Sequence, residues 1–439
     1  MSSVAIIGGG LAGLATAAVL GDAGYAVQLF EARPFLGGRA TSYEIGTGGE
    51  AETIDNCQHI LLRCCVNLLD FYRRLGVEQN VAFSREFTFI EPGGRRSTLR
   101  AGVLPAPAHF AGSFLKLHYL NLPEKLALAS AILAIGREKN RKDLDQISML
   151  DWLREKQQPA RVIERFWRQV LVSAINEELD RTAAAHGFQV FRLGFLASKH
   201  SYEMGVPAVP LAELYGMQAW QKIGNVAIRE RASVSSILIK DGRARAAIVD
   251  GQAISADYFV CAVPFDRISA LVPELEVDVG AFEHSPITGI HLWFDRPITD
   301  MPHVTLLDRT IQWMFNKGNG NYVQLVVSAS RSLTDMPRAE VIALGLRELA
   351  EFFPIAGKAK LVKAHVVKEV RATFSARPGL EAHRPPNETG IANLFLAGDW
   401  TKSGWPATME GAVRSGYKAA EEVTRAAGSP KIFLKPDLE

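Results

Sequence analysis

The stretch "VAIIGGGLAGLATAAVL", residues 4–20, limits the fold of this chain more than any other. Residues 4–7 form a short apolar run suited to a buried parallel strand, and residues 11–20, rich in alanine and leucine, suit a helix. Gly8, Gly10 and Gly13 stand at the junction in Gly-x-Gly-x-x-Gly spacing. The first glycine permits a tight turn, the second lets the backbone approach a pyrophosphate, and the third allows helix and strand to pack closely. The helix N-terminus then offers free N–H groups and a partial positive charge to phosphate oxygens.

The next twenty residues extend the pattern. Residues 25–31, "YAVQLFE", read as a second strand ending at Glu31, the ~20-residue offset at which an acid meets ribose hydroxyls. A carboxylate there disfavours a 2′-phosphate. Beyond Ala32 and Arg33 come Gly37, Gly38, Arg39 and Ala40, which place a guanidinium among small residues where it can reach a pyrophosphate.

Together these residues resemble the amine oxidase and carotenoid desaturase superfamily of FAD proteins. The resemblance implies an α/β fold with a discontinuous, Rossmann-like FAD-binding domain and an inserted α+β substrate domain. It implies FAD contacts at Gly8, Gly10, Leu11, Ala12, Gly13, Glu31, Ala32, Arg33, Gly37, Gly38, Arg39 and Ala40. In that superfamily the chain closes with a Gly-Asp turn beside the ribityl-phosphate region, then a helix whose N-terminus faces the flavin pyrimidine. Gly398 and Asp399, then Thr408, Met409 and Glu410, match those elements, and Val234 takes the position whose backbone lies beside the adenine. The FAD domain is expected from residues 1–85, 205–269 and 389–439, and the substrate domain from residues 86–204 and 270–388.

Length agrees with two substructures, since the 439 residues exceed the ~250–300 at which a single core stops growing. The 49 basic and 47 acidic residues give a net charge of +2, which provides no field for nucleic acid, and no basic run supplies one locally. Cys57, Cys64, Cys65 and Cys261 lack the paired spacing of a zinc or redox site and read as reduced thiols of a cytoplasmic protein. The histidines show no metal-binding spacing. The uncharged run over residues 4–21 is broken by five glycines and has no basic residues before it, so neither a membrane span nor a signal peptide is expected from it. No second Gly-x-Gly-x-x-Gly comes after a strand, so electrons are expected to pass to or from an external carrier rather than a bound NADPH. Residues 227–264 read as short strands with turns at Asp241-Gly242 and Asp250-Gly251.

Two apolar runs bear on the substrate. Residues 101–115 and 126–136 carry no formal charge, and Lys116, Lys125, Arg137, Lys139, Arg141 and Lys142 flank them. Such a segment suits shallow insertion into an anionic lipid surface, or burial as helices of a cap, and both fit a lipophilic substrate. The block Asp55-Asn56-x-Gln58-His59 and the last fifty residues are similar to the squalene-associated, desaturase-like FAD enzymes, the hydroxysqualene dehydroxylases of bacterial hopanoid pathways. That similarity implies reductive removal of the hydroxyl of hydroxysqualene to give squalene, by an enzyme peripheral to the inner face of the cytoplasmic membrane. A carotenoid-type, phytoene-like desaturase working in the oxidative direction is the alternative, and a non-catalytic prenyl-lipid escort a third. His59 is the candidate proton donor to the leaving hydroxyl, oriented by Asp55. Residues 176–180, "NEELD", read as a solvated loop or helix start.

Overall fold

The computed structural model describes residues 1–46 and 51–438. Ser3–Ile7 (β1), Leu11–Asp22 (α1) and Ala26–Phe30 (β2) build the strand, helix and strand that the glycine spacing demands. Three more strands join from far along the chain: Val226–Arg229 (β3), Tyr258–Cys261 (β4) and Leu394–Leu396 (β5). All pairings are parallel and the order is β3-β2-β1-β4-β5. Helix α1 is buried from Leu11 to Gly21 and apolar on every side, as a helix held between a sheet and a second helix must be.

That second helix is Met409–Ala426 (α2), and it crosses α1 at backbone contact. The Thr16 hydroxyl donates to the Ala12 carbonyl at 2.8 Å and the Gly416 carbonyl at 3.0 Å. A Cβ on Gly416 would lie 2.3 Å from the Ala12 oxygen, so only glycine fits the crossing.

A seven-stranded sheet forms the other layer, in the order Leu361–Phe374, His284–Phe294, Tyr322–Ser328, Trp313–Gly318, His303–Leu306, Glu86–Ile90, Arg96–Arg100. Strands from both inserted segments meet where Thr305 and Leu306 pair in parallel with Phe89 and Ile90. Helix Arg338–Phe352 packs on this sheet, burying Leu349 and Phe352 with Ile290, Leu292 and Leu325. Helices between residues 122 and 196 include two widened, π-helical stretches, Ile163–Arg168 and Val190–Leu196. Both Asp-Gly pairs turn hairpins: φ is 54° and 68° at Asp241 and Gly242, and 49° and 81° at Asp250 and Gly251. Two successive positive φ values are the signature of a type I′ turn.

Residues 176–180 form the expected loop and Asp180 is exposed, but Asn176 and Glu177 correct the expectation of solvation. Asn176 ends helix Gln169–Ile175 in the left-handed conformation, and its amide donates to the Ser285 carbonyl at 3.1 Å and Thr373 Oγ1 at 2.8 Å. Glu177 is fully buried and takes two 2.6 Å bonds from the Arg331 guanidinium. Burial raises its pKa, but hydrogen bonds from Arg331 and Ser375 outweigh that and hold it below the usual range. A charged run is solvated only when nothing neutralises it, and here the arginine comes from 154 residues away.

Replacing Gly416 with valine is expected to lower the thermal midpoint, because overpacking a backbone contact costs about 1–3 kcal/mol. A Gly416→Val melting curve that overlays the wild type would show that α1 and α2 part without cost.

Candidate functional site

At the end of β1 the chain turns through Gly8 and Gly9 into α1. A Cβ on Gly8 would stand 2.6 Å from the Ala262 oxygen, and one on Gly13 would stand 2.0 Å from the Gly8 oxygen. Gly10 is different: a Cβ there would meet only Gly38 Cα, at 4.0 Å, so it faces open space. The second glycine loop folds against the first, with Gly37 N–H donating to the Gly9 carbonyl at 2.8 Å and Gly10 bridged to Gly37. No side chain caps α1 and no acid occupies its first turn. Its leading N–H groups, at Leu11, Ala12 and Gly13, therefore keep their donors for a ligand.

Glu31, buried just past β2, accepts hydrogen bonds from Gly9 N–H at 2.7 Å and Arg33 N–H at 2.8 Å. Those bonds hold a carboxylate at the base of the cradle. Residues 31–33 also receive the chain leading into strand Val234–Lys240: Ala232 N–H donates to the Glu31 carbonyl at 2.8 Å, and Arg231 N–H to the Arg33 carbonyl at 3.1 Å. Val234, Ala32 and Arg33 thus belong to one edge. Ala40 is tied back by its N–H to the Gly37 carbonyl at 3.1 Å and receives the Tyr215 hydroxyl on its own carbonyl.

The C-terminal elements close on the same place. Arg39 Nη2 lies 2.6 Å from Asp399 Oδ1, next to Gly398, and Arg39 Nη1 donates to the Ala372 carbonyl at 3.2 Å. Thr408 caps α2, accepting from Gly411 N–H at 3.0 Å, and Met409 and Glu410 begin the helix. The Glu410 carboxylate is committed elsewhere. It accepts from Asn67 N–H at 3.2 Å, Asn67 Nδ2 at 2.8 Å and Leu68 N–H at 2.7 Å, capping helix Val66–Leu75. Only its backbone remains for a cofactor. The residues present fit FAD: the N-terminus of α1 and Arg39 for the pyrophosphate, Glu31 for the ribose, the start of α2 for the flavin ring, and space at Gly10 for close backbone approach.

Beside the cradle, strands Ser42–Ile45 and Glu52–Asp55 pair as a ribbon. Asp55 Oδ1 accepts from the Ser42 hydroxyl at 2.7 Å and Leu211 N–H at 3.0 Å, while Oδ2 lies 3.2 Å from Lys317 Nζ. Lys317 also reaches Gln58 Oε1 at 3.1 Å. The hydrogen bonds of Asp55 leave His59 to another partner, which corrects the expected pairing. That partner is Asn56, whose Oδ1 lies 3.0 Å from His59 Nε2. Asn56 Nδ2 donates to the Arg39 carbonyl at 2.9 Å and Glu369 Oε1 at 3.1 Å, so the amide oxygen faces the ring and Nε2 carries the proton.

Burial pushes the His59 pKa down to about 4, with Asp55 opposing and Lys317 reinforcing the fall. The ring is neutral at pH 7. In this tautomer Nε2–H is spent on Asn56 and Nδ1 carries the lone pair. Lys317 is the cation of this cluster, and no sequence motif marks it; it arrives through the register of strand Trp313–Gly318.

A cavity opens between the two layers, with roughly 1110 Å³ of atom-free space including its mouth. Ile60, Leu61, Leu62, Pro406 and Met409 line it from the cradle side, and Phe87, Phe89, Phe195 and Trp313 from the seven-stranded sheet and its helices. Thr408 and Glu410 share the wall, so the cavity adjoins the start of α2.

The family described as flavin containing amine oxidoreductase matches residues 11–424. The chain is 29% identical over 471 residues to the 15-cis-phytoene desaturase of Solanum lycopersicum, covering 96% of this chain and 77% of that one. It is 26% identical over 475 residues to the zeta-carotene desaturase of Synechocystis sp., covering 96% of each. Among solved structures, an oxidoreductase from Methanosarcina mazei superposes with a TM-score of 0.71 at 20% identity, covering 94% of this chain and 98% of that one, a likeness of fold.

Two rings with depressed pKa values make acid stability predictable. His59 and His186 are each held near pKa 4, burial being the main cause, against 6.5 for a free ring. Between those values the unfolded chain binds protons that the native state refuses, so stability is complete above about pH 6.5 and falls as pH drops toward 4. Thermal midpoints at pH 7 and pH 4.7 should show this, with a shallower fall for His59→Gln. Equal falls in variant and wild type would mean the ring takes up its proton freely in the folded state.

Proposed function

Because the chain belongs to the flavin containing amine oxidoreductase family and is an FAD-dependent oxidoreductase, we propose that it acts on a long, linear isoprenoid. The observation that carries this reading is the apolar cavity beside the cradle, walled by phenylalanine, leucine, isoleucine and tryptophan. Bound FAD supplies hydride acceptance in its oxidised form and hydride donation in its reduced form. The protein's part is to hold the chain against that wall, exclude water and manage one proton.

The named relatives favour dehydrogenation of a polyene precursor, as in phytoene and zeta-carotene desaturases. Loss of one hydride and one proton per double bond requires an external electron carrier for turnover. A second reading is reductive removal of the hydroxyl of hydroxysqualene, in which hydride and one proton give squalene and water. It draws on the Asp55 to His59 block. The two are separated by anaerobic single turnovers. Oxidised enzyme bleached by phytoene supports the first reading, and reduced enzyme reoxidised by hydroxysqualene with release of squalene supports the second; failure of both would remove the isoprenoid assignment.

We also propose a peripheral association with the cytoplasmic face of a membrane. Val103, Leu104, Leu115, Leu122, Leu126 and Leu133 are all exposed, while Leu128, Ala131 and Ile135 of the same helix, Leu122–Arg137, face the core. Lys116 and Arg137 stand exposed nearby, whereas the Lys125 ammonium is held by the Leu115 carbonyl at 2.8 Å. No described helix is long and apolar enough to cross a membrane. Flotation with anionic liposomes should carry the protein upward at low salt, and Lys116→Gln with Arg137→Gln should weaken it. Flotation unchanged by salt and by both substitutions would remove the electrostatic part of this proposal.

A further inference from the structure

Residues 355–371, "IAGKAKLVKAHVVKEVR", carry five basic side chains and one acidic one, a local excess that the net charge of +2 conceals. Most of the stretch is strand Leu361–Phe374, which stands first in the order of the seven-stranded sheet. It pairs with His284–Phe294 on one side, and its other edge carries no strand among the described residues. Val362 and Val370 are 64% and 49% exposed along it, and Lys358, Lys360 and Arg371 are exposed with them.

A further cation joins this edge. Arg338, exposed at the start of helix Arg338–Phe352, acts with Lys363 on His365, whose pKa is held below its usual value by burial first and then by these two charges. Some of the positive charge is already matched: Lys363 lies 3.1 Å from Glu52 and Arg371 2.6 Å from Asp266. Lys368 is held by the Thr334 and Met336 carbonyls, and Glu369 accepts from Asn56 Nδ2 at 3.1 Å. Lys358, Lys360 and Arg338 meet no carboxylate at ion-pair distance among the described residues. The edge therefore keeps a positive charge around exposed valines.

The same strand touches the cradle. The Ala372 carbonyl accepts from Arg39 Nη1 at 3.2 Å, and the Asn56 amide that reaches Glu369 also donates to the Arg39 carbonyl at 2.9 Å. A protein seated along this edge would lie beside residues of the FAD site. A second copy of the chain presents the same charge and is repelled, so the occupant that the edge selects is acidic. Turnover supplies the need for one, since flavin exchanges an electron pair with its substrate and the chain has no second dinucleotide motif.

We propose that this basic edge docks a small acidic protein that carries one electron at a time. The proposal rests on turnover of an FAD-dependent oxidoreductase by an external carrier, and it names the class of that carrier. In the oxidative direction FADH2 and two oxidised carriers give FAD, two reduced carriers and two protons. In the reductive direction the same exchange runs backward.

The test uses rubredoxin, an acidic iron protein that loses its colour on taking up one electron. FAD-loaded protein is reduced anaerobically and mixed with oxidised rubredoxin in a stopped-flow spectrometer, with benzoquinone as an uncharged oxidant in a parallel arm. The rubredoxin rate is expected to fall at least ~10-fold as ionic strength rises from ~0.01 M to ~0.15 M, because screening shortens the reach of the charges. Lys360→Glu with Arg338→Glu should slow rubredoxin ~10-fold or more at low salt and leave the benzoquinone rate unchanged. Lys360→Gln alone should slow it ~3-fold, which keeps the test standing if the double variant fails to fold. Equal rubredoxin rates in variants and wild type, or a wild-type rate indifferent to salt, overturn the inference. A double variant that loses flotation with anionic liposomes but keeps its rubredoxin rate also overturns it and gives the edge to lipid. None of these outcomes touches the isoprenoid reading, which the single turnovers with phytoene and hydroxysqualene decide.

Discussion

The contact between two glycine loops is the constraint on which the site depends. Gly37 N–H reaches the Gly9 carbonyl, and a Cβ on Gly38 would stand 3.1 Å from Gly10 Cα. Backbones meet this closely only where side chains are missing. That approach leaves the N-terminus of α1 uncapped beside an opening and delivers Arg39 to its ion pair with Asp399. With Arg39 a third exposed and Asp399 almost buried, the pair contributes modestly to stability. Its larger consequence is geometric, since it joins residues 360 apart in sequence across the FAD cradle.

A cradle made from both ends of the chain cannot form in pieces. Strands β1 and β2 come from the first thirty residues, β3 and β4 from the middle, and β5 and α2 from the last fifty. The α1 and α2 crossing through Gly416 fixes the distance between the two helix N-termini. Any ligand spanning them stabilises the assembled domain over its separated parts by mass action. The committed side chain of Glu410 serves the same end, because it caps helix Val66–Leu75 and so anchors the start of α2.

Chemistry beside the cradle is divided between a fixed charge pair and a neutral ring. Asp55 and Lys317 neutralise each other and orient Gln58, while His59 stays uncharged because its surroundings favour the smaller hydration demand of a neutral imidazole. The adjoining cavity is dry in composition, which suits hydride transfer by limiting competing reactions with water.

Local rules were enough for much of this. Glycine spacing dictated the β1, α1, β2 unit because no other residue tolerates the contacts at Gly8 and Gly13, and Asp-Gly pairs dictated hairpin turns because both positions need positive φ. The offset of Glu31, the Gly398-Asp399 pair and the helix after Thr408 were visible for the same reason: each is a short-range pattern with its own backbone chemistry. What the sequence left undecided involves partners distant along the chain. The His59 partner proved to be Asn56 rather than Asp55, because Asp55 is drawn to Lys317, 262 residues away. Glu177 proved buried because Arg331 and Ser375 converge on it. Charge, burial and protonation are properties of such neighbourhoods, so tertiary structure alone decided them.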